Sequence, residues 1–155
     1  MPGLKSIRLA LQVATGQRDD AGKVLAQIQR GCSDAQNQMA QLESYAAQTE
    51  SRWSLSSQVL ATPEIVHHYY QFMARLQQAI DLQGNVVADL RHQTTVAQRL
   101  MLEFEIRIAS LGQVLERKHA VALRLQAGRE QKQNDEFAAL QHRRMLAAKD
   151  NLGAA

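Results

Sequence analysis

Aromatic residues make up only 5% of this 155-residue chain. That is too few for the bulky interior of an ordinary globular domain, and it suits long helices or coiled coils. Proline occurs twice, at Pro2 and Pro63, so nothing between those positions forbids a continuous helix. The single cysteine, Cys32, excludes an internal disulfide and fits a reducing compartment. No stretch approaches the roughly 20 apolar residues of a membrane span. The apolar run Leu9-Ala10-Leu11 is broken at once by Gln12, so no signal peptide is expected. These absences together point to a soluble cytosolic protein. What is abundant is Ala, Leu, Gln, Arg and Glu, in an order that repeats.

The repeat breaks once, at Ala61-Thr62-Pro63-Glu64-Ile65. Thr62 suits an N-cap, its hydroxyl accepting a first-turn backbone N–H. Pro63 suits the first helical position, where its missing N–H costs nothing. Glu64 places negative charge beside the positive end of the helix dipole. Ser54, Ser56 and Ser57 weaken the helix that precedes. The chain is therefore expected to be all-α: a single antiparallel coiled-coil hairpin over residues 1–155, with a helix at about 4–56, a loop at about 57–62 and a helix at about 63–147.

Before the bend, apolar residues recur in alternating steps of three and four. The a-type series starts at Leu4 and Leu11 and runs through Leu25, Cys32, Met39 and Ala46 to Trp53. The d-type series starts at Ile7 and Ala14 and runs through Ala21, Ile28, Ala35 and Leu42. Seven unslipped heptads indicate a coiled-coil seam. The pattern restarts at Val66 and Tyr69 and continues through Met73, Leu76, Ile80, Val87, Leu90, Ala97, Met101, Phe104, Ile108 and Leu115 to Ala122 and Leu125. Antiparallel layering of a on d sets Trp53 against Tyr69, Ala46 against Leu76, Ala35 against Val87, Cys32 against Leu90, Ala21 against Met101 and Ala14 against Ile108. Small faces large in most of these layers, which fills the seam evenly. The last layer is Leu4 with Lys118. The second helix is thus expected to be longer and to project beyond the first.

The net charge of +3 is unevenly spread. Lys5, Arg8, Arg18, Lys23 and Arg30 outweigh Asp19 and Asp20 before residue 32, and residues 123–155 are also basic, whereas the middle is acidic. In a hairpin both basic segments come to one end, where they can steer an acidic partner. Beside the seam, near the bend, Gln38, Leu42, Tyr45, Phe72, Leu76 and Ala79 form an apolar, aromatic strip. Such a strip either widens the core or offers a docking surface, since aromatics flanking a two-helix seam anchor interfaces well. Thr49 and Gln83 lie at its outer ends. His67-His68 point to different helix faces and chelate poorly. No Ser/His/Asp arrangement, P-loop or Gly-rich phosphate loop is present. The chain reads as non-enzymatic, without metal or cofactor. Its interleaved charges argue against nucleic-acid binding.

Two stretches carry a family resemblance: Tyr69-Tyr70-Gln71-Phe72-Met73-Ala74-Arg75-Leu76-Gln77-Gln78-Ala79-Ile80, and Arg129-Glu130-Gln131-Lys132-Gln133-Asn134-Asp135-Glu136. In both, the chain resembles the flagellar export protein FliJ family. The resemblance implies a small cytosolic component of the flagellar type III export apparatus, an antiparallel coiled coil shaped like a rotary ATPase stalk. Its implied partners are the hexameric export ATPase, whose assembly it promotes, the cytoplasmic domain of the export gate, and empty export chaperones. Through them it would be peripheral to the inner membrane. The strip of Gln38, Leu42, Tyr45, Phe72, Leu76 and Ala79 then corresponds to the gate contact. Arg8, Arg18, Lys23, Arg124, Arg129 and Lys132 would surround the end received by the ATPase ring. The competing reading is a scaffold or membrane-associated hairpin of the phage-shock type, using Lys5 and Arg8 on a basic first helix. Against it, Leu4, Ile7 and Leu11 are already committed to the seam.

Overall fold

A computed structural model describes residues 2–153, with side chains for residues 3–56 and 61–153. Two helices account for nearly all of it: α1, Pro2–Leu60, and α2, Pro63–Gly153. They pack against each other as an all-α helical hairpin. The bend is Ala61-Thr62. Thr62 caps α2 as its residue type dictates: the backbone N–H of Ile65 donates to Thr62 Oγ1 at 3.4 Å, and that of Val66 to the Thr62 carbonyl at 3.1 Å.

Helix α1 continues four residues past its expected end at 56. The reason lies in the hydroxyls. Ser56 Oγ donates back to the Arg52 carbonyl at 2.8 Å, and Thr49 Oγ1 to the Tyr45 carbonyl at 2.8 Å. Both bond inside the helix instead of competing with it. The Ser57 side chain lies outside the described residues. Helix α2 likewise runs past 147, because Ala, Gln, Arg, Lys and Leu dominate its end and are strong helix formers.

The contacts divide the chain into two units. Thr15–Ile106 contains the bend. Its seam is marked by Trp53 stacked on Tyr69, with ring centroids 4.2 Å apart and planes at 5°. Its buried residues are Ala21, Cys32 and Ala35 from α1 and Leu76, Ile80, Val87 and Ala97 from α2. Small residues of one helix thus face large ones of the other, as even filling requires. Cys32 is free and buried, a small apolar filler. At two layers a methionine fills the room a glycine leaves: Met101 Cε lies 3.6 Å from where a Gly22 Cβ would stand, and Met39 Cε 3.6 Å from that of Gly84.

The other unit joins the residues up to Ala14 with those from Arg107 on. Ala14 is its most buried residue, with half-buried Leu4, Ile7 and Leu11 from α1 and Ile108, Leu111 and Leu115 from α2. Lys118 stands beside the start of α1, at the level its register set, but it is not buried there. It is exposed, and its Nζ lies 3.2 Å from where a Gly3 Cβ would be. An ammonium keeps its hydration by lying across the glycine, its stem covering apolar surface. From Leu123 onward every described residue of α2 is exposed.

Candidate functional site

The near-bend strip is assembled by both helices within Thr15–Ile106. Its six residues have three different environments. Leu76 is buried, Leu42 and Ala79 are half-buried, and Gln38 is exposed. Tyr45 and Phe72 remain 50% and 40% exposed although their rings meet edge to face, with centroids 5.9 Å apart and planes at 85°. The pair is held by quadrupolar contact, and each ring keeps a face toward solvent. Leu76 therefore belongs to the seam that supports the strip, and Tyr45 and Phe72 form its accessible part.

The strip is closed off at both ends by hydrogen bonds. Gln83 Nε2 crosses the seam to the Ala35 carbonyl at 2.9 Å and to Gln38 Oε1 at 3.2 Å. The Thr49 hydroxyl is turned onto its own helix. Closer to the bend lies a further aromatic group. Tyr69, stacked on Trp53, also meets Tyr70 edge to face at 5.4 Å, and Tyr70 is 63% exposed. The Tyr69 hydroxyl titrates above its ordinary value, first through desolvation, then through the Glu50 carboxylate and Tyr70. The rings of His67 and His68 stand 6.4 Å apart and tilted. Among the described residues no group of three His, Cys, Asp or Glu could hold a metal ion.

The six basic candidates divide between the two units. Arg18 and Lys23 belong to Thr15–Ile106. Arg18 is half-exposed at its seam position and grips Asp19, Nη2 to Oδ1 at 3.0 Å and Nε at 3.2 Å, so part of its charge is answered by its own neighbour. Lys23 is exposed. The other four lie in the second unit. Arg8 lines a shallow groove with Leu115, Glu116, His119, Ala120 and Leu123. Arg124, Arg129 and Lys132 stand on the exposed stretch of α2, where Val121, Leu123 and Leu125 are about half exposed. Apolar residues and cations thus alternate along a helix that α1 no longer covers.

The sequence matches the flagellar FliJ protein family model over residues 5–146. The chain belongs to this family. It is 28% identical over 129 residues to the flagellar FliJ protein of Salmonella typhi, and 29% identical over 128 residues to that of Escherichia coli strain K12. Each match covers 81% of this chain and 86% of the relative. No solved structure gives a significant match. The family match spans both helices, the near-bend strip and the Arg129–Glu136 stretch. No helix among the described residues is long and apolar enough to cross a membrane.

Proposed function

We propose that this chain is a non-enzymatic stalk and adaptor of the flagellar type III export apparatus. Membership of the FliJ family supports its place as a flagellar export component. The finer reading is that one part of the hairpin enters the export ATPase hexamer and promotes its assembly. The near-bend strip contacts the cytoplasmic domain of the export gate, and the protein escorts emptied export chaperones. It works in the cytoplasm, peripheral to the inner membrane through these partners.

The observation that carries this reading is the long exposed stretch of α2 from Leu123, with Leu125, Arg124, Arg129 and Lys132 on it. A single helix bearing a few apolar contacts and mobile cations can seat in a ring pore without fixing one rotational register. Charge orients its entry. The Tyr45–Phe72 pair supports a separate gate contact, because both rings keep an open face.

The test is charge reversal at Arg8, Lys23 and Arg124 together, with ATPase stimulation and gate-domain binding measured side by side. Exposed charges contribute little to stability, so helicity should be unchanged. Stimulation should fall as it does when salt is raised for the unaltered protein, and gate binding should persist. Full stimulation with unchanged salt dependence would sink the pore reading and leave the adaptor role on the strip alone.

A further inference from the structure

Helix α2 carries a second apolar series that α1 does not cover. Leu82, Val86, Asp89, Gln93, Val96 and Leu100 follow one another in steps of four and three, the spacing that keeps residues on one helix face. All six are exposed, with Leu82 at 66%, Val96 at 50%, and Val86 and Leu100 at 46%. The series is a palindrome in residue character: Leu, Val, polar, polar, Val, Leu. Its centre is level with residue 91. We infer that this face pairs with the same face of a second copy of this chain, α2 against α2, antiparallel about a two-fold axis at that level.

In a parallel two-fold pair Asp89 would stand directly against Asp89, like charge on like charge, whereas the palindrome allows an antiparallel pairing, equally isologous, that avoids this. Leu82 then meets Leu100 of the second copy, and Val86 meets its Val96. Asp89 meets Gln93. Gln93 Nε2 already donates one proton to Asp89 Oδ2 of its own chain at 2.9 Å. Its second amide proton is available for Asp89 of the other copy. Two amides and two carboxylates then close into a ring in which each carboxylate receives two donors, which offsets the approach of two like charges. The next pair outward is Ala79 with Glu103, followed by Arg75, which stands opposite Arg107. The antiparallel arrangement brings Arg75 of each copy within about one helical turn, ~6 Å along the axis, of Glu103 of the other.

A second observation comes from α1. Gly31 lies on the same side of the seam, level with the centre of the palindrome, and nothing stands within 4 Å of where its Cβ would be. The surface is lowest where the two copies must come closest, and Val24, 50% exposed on the same side, borders that space. The opposite side of the seam is unsuited to self-pairing. Gln29, Gln36, Glu43 and Glu50 flank it from α1, and Gln77, Arg91, Gln98 and Glu105 from α2.

The size of the seam fixes what kind of dimer to expect. From Leu82 to Leu100 it is about 27 Å long at 1.5 Å per residue. With the adjoining flank of α1 it buries roughly 500 Å² per copy, below the ~800 Å² of a standard stable interface. Association should therefore depend on concentration.

Sedimentation of the full chain over a wide concentration range tests this directly, alongside Val86→Glu, Val96→Lys and the double variant. The unaltered chain should pass from monomer to dimer. Each single variant buries two unpaired charges at the interface and should weaken association by about tenfold or more. The double variant sets the new carboxylate at position 86 of each copy against the new ammonium at position 96 of the other and should recover it. Within one chain those positions are about 15 Å apart, too far to pair. Helicity by circular dichroism should be the same in all four proteins, since both sites are exposed. A chain that stays monomeric throughout would overturn the inference, as would a dimer indifferent to Val86→Glu. Failure of the double variant to recover would exclude the antiparallel register and leave the face to some other occupant.

Discussion

Phe72→Glu separates a docking ring from a core ring. Phe72 is 40% exposed, so folding removes about 60% of its surface from water. Scaled from the ~1.5–3 kcal/mol of a fully buried aromatic, that burial contributes about 1–2 kcal/mol. The edge-to-face contact with Tyr45 adds about 0.5–1.5 kcal/mol. A glutamate there reaches solvent along the open side of the ring, so the charge adds little. The expected loss is about 2–3 kcal/mol. Leu76, one turn further and 8% exposed, is the control. Leu76→Glu forfeits a nearly complete burial and confines a carboxylate in the seam, so it should cost more than about 4 kcal/mol. Urea denaturation followed by far-ultraviolet circular dichroism reads both. Calorimetric titration with the gate's cytoplasmic domain reads the function. Phe72→Glu should fold and lose gate binding, whereas Leu76→Glu should lose binding because it loses the hairpin. Equal destabilisation by the two would show that Phe72 is part of the core. A folded Phe72→Glu protein with full gate binding would remove the strip from the gate contact.

Gly16→Ala and Gly84→Ala should each raise the denaturation midpoint by the equivalent of about 0.5–1 kcal/mol. Neither glycine has a positive φ, Gly16 has open space around its missing Cβ, and Gly84 has only Met39 Cε at 3.6 Å. A loss of stability at Gly84 would mean that Met39 cannot yield. Gln83→Ala removes the amide that crosses from α2 to the Ala35 carbonyl and should cost about 1 kcal/mol. Because that amide also holds Gln38, gate affinity should change more than its small stability cost suggests, which a titration against the same domain would show.

The hairpin was legible because one period dominates the chain. Heptads on either side of Pro63 set the register of the layers, and the stacked pair Trp53–Tyr69 is one of those layers. Two features were harder to read, each for a local reason. Ser56 has a residue type that weakens helices in general, but its hydroxyl bonds to Arg52 and the helix continues. Lys118 occupies a d-position by count, yet its side chain is exposed, with its Nζ over Gly3. Leu76 and Phe72, by contrast, were separable by count: Leu76 holds a seam position and is buried, and Phe72 flanks it and stays 40% exposed.

The difference between the two flanks of the seam was present in the sequence, but a search for one seam passes over it. A two-helix pair needs only a and d to be apolar. On one flank the chain places Gln29, Gln36, Glu43, Gln77, Arg91 and Gln98, ordinary solvated residues, with Tyr70 near the bend. On the other it places Tyr45, Phe72, Ala79, Val86 and Leu100, with Leu82 and Val96 beside them. Exposing large apolar side chains along one flank contributes nothing to the hairpin's own stability and lowers its solubility. A surface that served only as a solvated back would have no physical reason to concentrate them there. Their spacing along that flank between residues 82 and 100, with a glycine at the level of the palindrome's centre, is the pattern of a face that another helix covers. The near-bend end of that flank differs from the rest: it is aromatic and bounded by the Gln83 bonds, whereas the stretch from Leu82 to Leu100 is aliphatic and self-complementary. Two adjoining surfaces of different chemistry imply two different occupants. A variant at Val86 should therefore alter self-association while gate binding persists, and a variant at Phe72 should do the reverse.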